Sequence, residues 1–251
     1  MPECGVNRLK KRLNWGFLIF TIIMISIAFF VTEPKQERPV KESKPLVVEK
    51  QDIDTKTLIS NLKQEWNNND IIATLEIKDL DINTVITKTT DNKYYLNHDL
   101  SKEENNLGNP YIDFRNSNIL KDEKQINIYS HNSDYDDYKE KLPFYKLEKY
   151  LDKKNFEKSG SIKLLTEEEV LEYEVYAIKI ITTDNEHTVL DAKSDEAWQN
   201  HLDKLLSDTK YCKGDCSLSP NDKLLILQTC NYNPKNSYIV LIAKKIEKKE
   251  N

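Results

Sequence analysis

The run Leu224-Leu225-Ile226-Leu227-Gln228-Thr229-Cys230 constrains this chain more than any other segment. It is apolar until it stops at a cysteine. A second apolar run, Tyr238-Ile239-Val240-Leu241-Ile242-Ala243, begins eight residues after that cysteine. Short apolar runs bounded by turn residues such as Asn231, Asn233, Pro234 and Asn236 read as two buried strands joined by a loop. Cys230 then ends a buried strand. A rigid element would hold its sulfur while the mouth of a loop exposes it, which suits a nucleophile.

About a hundred residues upstream, Ile126-Asn127-Ile128-Tyr129-Ser130-His131 alternates and ends on a histidine. A cysteine after an apolar run is most often a small buried hydrophobe. A solitary histidine is most often a satisfied polar group. The pair says more, because a thiol and an imidazole that each end a strand are the parts of a thiol enzyme. His98 is the alternative base, but Asn97 and Asp99 beside it read as a structural turn. His187 and His201 read as surface residues.

The N-terminus sets the compartment. Arg8, Lys10, Lys11 and Arg12 precede an uncharged, mostly apolar stretch, residues 13–32. A bilayer-spanning helix needs roughly 17–25 residues. The stretch ends in Phe29-Phe30-Val31-Thr32, without the small-x-small site of a cleaved signal peptide. It lacks the polar face of a buried core helix. It therefore reads as an uncleaved anchor in the cell membrane. Residues 1–12 form a basic cytoplasmic tail, and the rest of the chain lies outside. Residues 33–54 are rich in Lys, Glu, Pro and Val and read as a solvated extracellular tether. Residues 55–251 make one domain of ordinary size. The net charge of the chain is −5; residues 1–32 carry four basic and one acidic side chain, which leaves −8 for the remainder. So acidic a domain argues against a nucleic-acid partner.

Of the four cysteines, Cys4 falls on the cytoplasmic side. Cys212 and Cys216 flank Lys213-Gly214-Asp215 and are either a small disulfide or two loop thiols. No nearby Cys or His completes a zinc set. Within the domain, Ile59, Leu62 and Trp66 are spaced as on a helix, with Thr55 as its cap. Short strands are expected at 72–77, 82–86, 111–114, 126–129, 161–165 and 171–182. Helices are expected at 142–151 and after Ser194, the second carrying Trp198, Leu202, Leu205 and Leu206. Many short strands with a few peripheral helices imply a mostly-β barrel or sandwich. With five glycines and no glycine-rich phosphate loop, dinucleotide binding is excluded.

Several blocks taken together resemble a known family. Ile226-Leu227-Gln228-Thr229-Cys230 is similar to the T-L-x-T-C motif of class B sortases, cysteine transpeptidases of Gram-positive cell surfaces. Tyr129-Ser130-His131-Asn132 is similar to that family's G-H-N context. Further likeness lies in residues 92–99, in 108–116 and in the closing strand, so the match runs in order from about residue 56 to about 246. The resemblance implies an eight-stranded sortase-type β-barrel with peripheral helices. It implies Cys230 as nucleophile and His131 as base and acid, with no cofactor and no metal. Substrates would be secreted proteins bearing a C-terminal sorting signal. The acceptor would be a peptidoglycan or pilin amine.

Three positions depart from the pattern. Ile226 replaces the first Thr, and Ser130 replaces the glycine. The family's arginine at the start of the last strand is absent: Tyr238 stands there, or Ser237 with a one-residue shift. No arginine follows Arg115. Lysine does not reproduce a bidentate guanidinium. Tyr238, Lys235 and Thr229 are the candidates for oxyanion or substrate binding. The rival readings are a catalytically impaired sortase-like peptide-binding domain and a hydrolytic surface cysteine peptidase.

Overall fold

The two β-branched runs near the start of the domain form a hairpin, β1 (Ile71–Ile77) and β2 (Ile82–Thr87), closed by a 3-10 turn at Lys78–Leu80. The computed structural model describes residues 54–182, 189–190 and 192–247. The basic tail, the expected anchor and nearly all of the tether therefore lie outside the described residues, as does His187. Among the described residues, no helix is long and apolar enough to cross a membrane.

The remaining strands are β3 (Tyr111–Ile112), β4 (Gln125–Ser130), β5 (Ser161–Thr166), β6 (Val170–Ile181), β7 (Tyr211–Cys212), β8 (Leu224–Asn231) and β9 (Ser237–Lys245). Hydrogen bonding runs in the order β5-β1-β2-β3-β4-β8-β9-β6, and β6 pairs back onto β5. Eight strands thus close into a barrel, and β7 hangs on the outside of β6. Closure leaves these eight no edge to protect. The pairs β2–β3 and β4–β8 are parallel and the other ring pairs antiparallel.

Two apolar layers explain why the last strands are apolar throughout. Leu225, Leu227, Ile239 and Leu241 face the barrel interior with Ile126 and Ile128. Their alternates Leu224, Ile226, Val240 and Ile242 face outward, onto Trp198, Leu202 and Leu205 of a helix. A strand buried on both faces cannot alternate. The helices are α1 (Thr55–Trp66), α2 (Asp136–Lys139), α3 (Lys153–Glu157) and α4 (Asp195–Leu206). In α4, Ser194 accepts from the Ala197 N–H, the cap expected from sequence. Its C-terminal carbonyls are met by Lys179 of β6, whose Nζ donates to Leu205 at 3.2 Å and Ser207 at 2.7 Å. In β6 a bulge between Val175 and Ala177 shifts the register, so Tyr173 and Val175 point in while Tyr176 and Ala177 join the outer layer.

Some expectations change. Asp54, in extended conformation, takes the cap position of α1; Thr55 is the first helical residue, and it is Thr57 that bonds the Asp54 carboxylate. Residues 142–151 wind as a 3-10 helix, Pro143–Leu151, which adds Phe144, Leu147 and Tyr150 to the interior. The strand expected at 111–114 stops at Ile112, because the chain turns at Asp113, whose carbonyl accepts from the Asn116 N–H. His201 is not a surface residue: it is buried on α4, with Nε2 3.0 Å from Gln125 Oε1. Cys212 and Cys216 form a disulfide across a turn that needs a left-handed Gly214.

The double burial of β8 generates a prediction. Ile226→Ala on the outer face and Leu227→Ala on the inner face should each cost about 2–5 kcal/mol in urea unfolding. A cost confined to Leu227 would mean that α4 does not seal the outer face.

Candidate active site

Register alone brings the two predicted residues together. The parallel ladder of β4 and β8 runs from Gln125↔Leu224 to Ser130↔Thr229. The next residues on the two strands are His131 and Cys230. Cys230 follows Leu224, Ile226 and Gln228 on the outer face of β8. His131 follows Gln125, Asn127 and Tyr129 on the outer face of β4. Tyr238 lies opposite Cys230 on the antiparallel β9. Paired strands stand about 4.8 Å apart. The thiol is therefore flanked by an imidazole and a phenol on the outer wall of the barrel. Cys230 is half-buried and outside any disulfide, and His131 is half-buried too.

His131 is held by backbone. Its Nε2 lies 2.7 Å from the Leu96 carbonyl. A carbonyl only accepts, so Nε2 carries the hydrogen and Nδ1 is the nitrogen left for proton transfer. Leu96 ends a 3-10 turn, Tyr94–Leu96. Gly108, at φ +61°, packs against it: a Cβ there would stand 2.4 Å from the Tyr95 carbonyl oxygen. The Asn109 N–H also donates to that carbonyl, at 3.0 Å. The alternative base, His98, stacks on Tyr94 with centroids 4.0 Å apart, and its Nδ1 lies 2.8 Å from the Tyr94 carbonyl. It belongs to the turn that supports His131.

Asn132 ties the two loops. Its Nδ2 donates to the Cys230 carbonyl at 3.0 Å and to Glu148 Oε1 at 2.7 Å, and its own carbonyl accepts from the Tyr232 hydroxyl at 2.8 Å. Thr229 faces inward, and its hydroxyl donates to the Ser130 carbonyl at 2.9 Å. That bond straps β8 to β4 and takes the Thr229 hydroxyl out of the expected oxyanion role. Lys235 is exposed on the β8–β9 loop. Tyr238 is half-buried and packs partly on the apolar layer under α4. Among the described residues, no group of three or more His, Cys, Asp or Glu could hold a metal ion. In the sequence Asn132 stands out only as the Asn of the G-H-N-like context after His131. A main-chain carbonyl such as that of Leu96 leaves no trace in composition.

The outer face of β4 below His131 is polar and buried. Gln125 Nε2 donates to Asn127 Oδ1, the Asn127 N–H to Asn116 Oδ1, and the Tyr129 hydroxyl to Asp113 Oδ2 at 2.9 Å. Arg115, through Nε and Nη2, grips the Asp113 carboxylate at 2.8 and 2.7 Å. Burial works to raise the Asp113 carboxyl, but the hydrogen bonds from Arg115 and Tyr129 outweigh it and hold it below the ordinary range. Arg115 is thus committed to a structural pair and does not replace the missing arginine.

Comparison with known proteins agrees with this geometry. The sortase family model, described as a sortase domain, matches residues 75–246. The chain is 29% identical over 164 residues to Sortase B of Listeria monocytogenes; the match covers 65% of this chain and 64% of that relative, a little under two thirds of its length. It is 24% identical over 250 residues to Sortase B of Staphylococcus aureus, covering 96% and 99%. The solved Staphylococcus aureus sortase B–substrate complex superposes with a TM-score of 0.66 at 26% identity, covering 76% of this chain and 86% of that one.

The Asp113–Arg115 pair yields a second prediction. Arg115→Met leaves a fully buried carboxylate without its cation and should cost about 3 kcal/mol near neutral pH. The double variant Asp113→Asn, Arg115→Met should regain most of it. Because the native Asp113 is depressed, its contribution is present above the ordinary carboxylate value of 3.8 and lost as pH falls below it. The gap between wild type and Arg115→Met should therefore close in acid. Urea midpoints across pH measure this, and a pH-independent gap would refute it.

Proposed function

The chain belongs to the sortase family, as a class B member, and from that premise we propose that it is a membrane-anchored cysteine transpeptidase for secreted proteins bearing a C-terminal sorting signal. The observation that supports this reading is the β4–β8 register, which runs to Ser130 and Thr229, the residues just before His131 and Cys230. The Cys230 thiolate attacks the scissile carbonyl. The C–N bond breaks, His131 delivers its proton to the leaving amine, and a thioester remains on Cys230. A peptidoglycan or pilin amine then attacks the thioester. The thiolate leaves, and His131 recovers a proton from the new amide nitrogen. Backbone N–H groups near Cys230, with the Tyr238 hydroxyl or the Lys235 ammonium, stabilise the tetrahedral oxyanion. Residues 13–32 anchor the chain in the cell membrane with the N-terminus inside, so the site meets substrates as secretion delivers them.

The test uses the full chain in detergent micelles with a positional-scanning library of quenched-fluorescent peptides, with and without triglycine as amine. Cys230→Ala should abolish cleavage, while Cys212→Ala should leave most of it. Full activity in Cys230→Ala ends this reading. No cleavage by the wild-type chain would favour a peptide-binding domain, and products that never incorporate triglycine would mean a hydrolase. Tyr238→Phe or Lys235→Ala should lower turnover, by up to about 10²–10³ for a sole donor. Tyr238→Arg should raise it. If neither removal matters and the arginine does not help, the oxyanion is held by backbone alone.

A further inference from the structure

One phenol at this site has no assigned work. Tyr111 pairs with Tyr129 across the antiparallel β3–β4 ladder, and Tyr129 pairs with Gln228 across β4–β8. Ile112 points into the barrel interior, so Tyr111 faces the outer wall, one row below His131 and Cys230. Its ring is wedged against Tyr129, with centroids 5.5 Å apart, and the residue is only 7% exposed. Of the three buried tyrosines clustered here, two hydroxyls are committed: Tyr95 to Asn68 and Asp70, Tyr129 to Asp113. Among the described residues, the Tyr111 hydroxyl makes no hydrogen bond to protein. Nor is it sealed from solvent, since the one fully buried unpartnered side-chain polar atom among those residues is Trp198 Nε1. A rigid, nearly buried ring thus ends in a hydroxyl open to whatever occupies the wall beside His131.

On the basis that Cys230 is the nucleophile, we propose that Tyr111 is a substrate-binding residue, its hydroxyl donating to a main-chain carbonyl of the sorting peptide on the leaving-group side of the scissile bond. The side follows from strand order. Cys230 on β8 takes the acyl carbon, His131 at the end of β4 serves the leaving amine, and β3 lies one strand further along the same direction. A peptide carbonyl in such a groove loses its water and needs a replacement donor. The phenol remains a neutral donor at physiological pH: burial first, then the charges of Asp113 and Cys230, push it up from its ordinary value. The ring is fixed before the peptide arrives, so little conformational entropy opposes the bond. The incoming amine enters where the leaving amine departs, so the same hydroxyl serves both half-reactions.

Tyr111→Phe removes the hydroxyl and keeps the ring that packs on Tyr129. With the full chain and the library peptide that wild type cleaves fastest, it should lower kcat/KM about five- to tenfold, the size of one neutral hydrogen bond. It should also lower the ratio of triglycine product to hydrolysis product. Two controls should stay close to wild type: the midpoint of thermal unfolding, and, within about twofold, the rate at which methyl methanethiosulfonate alkylthiolates Cys230 with loss of methanesulfinate, a reaction with no carbonyl to bind. Unchanged kcat/KM in Tyr111→Phe, with Cys230→Ala inactive, overturns the role of Tyr111 and leaves the transpeptidase reading standing. A parallel fall in that thiol reaction also overturns it, because the hydroxyl would then act on the thiol and not on the peptide. Cleavage that persists in Cys230→Ala, or no cleavage by wild type, removes the transpeptidase reading itself and this role with it.

Discussion

The parallel ladder between β4 and β8 is the constraint on which the rest of the structure depends. It joins strands about a hundred residues apart in sequence, and a parallel pair admits no tight turn. The intervening chain must therefore make a long excursion through β5, β6 and α4 before returning as β8. The ladder is pinned at both ends. At its start the Leu224 N–H donates to the Lys124 carbonyl at 2.8 Å. At its finish Thr229 straps to Ser130, and Asn132 reaches across to the Cys230 carbonyl. Ile126, Ile128, Leu225 and Leu227 fill the interior behind it. Burial of those side chains supplies the stabilisation that offsets closing so long a loop. A one-residue slip in this ladder would turn Cys230 into the barrel, so the core that fixes the register also fixes the chemistry.

The outer face of β4 is an unusual element of that design. Gln125, Asn127 and Tyr129 are polar and buried, a pattern that costs stability unless every group finds a partner. Here partners come from Asn116, Asp113, Arg115 and the buried His201 on α4. A satisfied network of this kind holds one arrangement of its side chains where an apolar face would tolerate several. His131 is the last residue of that face and the first that solvent reaches. Its ring meets a second rigid piece, the Leu96 carbonyl, whose turn is held in place by the close approach of Gly108. His131 is thus positioned by two independent scaffolds.

The legible parts of the sequence were those governed by period and by strand ends. The apolar runs marked β8 and β9, the helical spacing marked α1 and α4, and each candidate catalytic residue stood where an element stopped. What escaped was set by tertiary partners. His201 reads as a surface histidine from its residue type, yet it shares a helix face with Trp198 and Leu205 and turns toward Gln125 across the α4–β4 contact. The bulge at Val175–Ala177 breaks the inside–outside alternation of the strand expected at 171–182 while leaving its length intact. The 3-10 winding of Pro143–Leu151 has the same apolar positions as an α-helix and differs only in hydrogen bonding. Thr229 belongs to the cysteine motif, but parity along β8 sends its hydroxyl inward, where it links two strands.

The fate of the single arginine in the domain shows how folding and catalysis compete for the same chemistry. Asp113 is fully buried and accepts from Tyr129, so the polar face of β4 requires its carboxylate, and the carboxylate requires a cation. Arg115 meets that need in bidentate fashion, two residues away on the same turn. That guanidinium is therefore already engaged by a buried carboxylate in its own turn. The cation nearest Cys230 in sequence, Lys235, is exposed, and an ammonium in water interacts several-fold more weakly than one in a dry site. Under the proposed mechanism, charge stabilisation at this thiol rests more on neutral donors than on Lys235: main-chain N–H groups and the Tyr238 phenol opposite Cys230 on β9. Such donors work through preorganisation more than through charge, and their effect is greatest where the surrounding packing leaves them no alternative partner. The packed outer wall of this barrel, with Tyr238 opposite Cys230 on β9 and resting on the apolar layer under α4, is a setting in which neutral groups can carry that load.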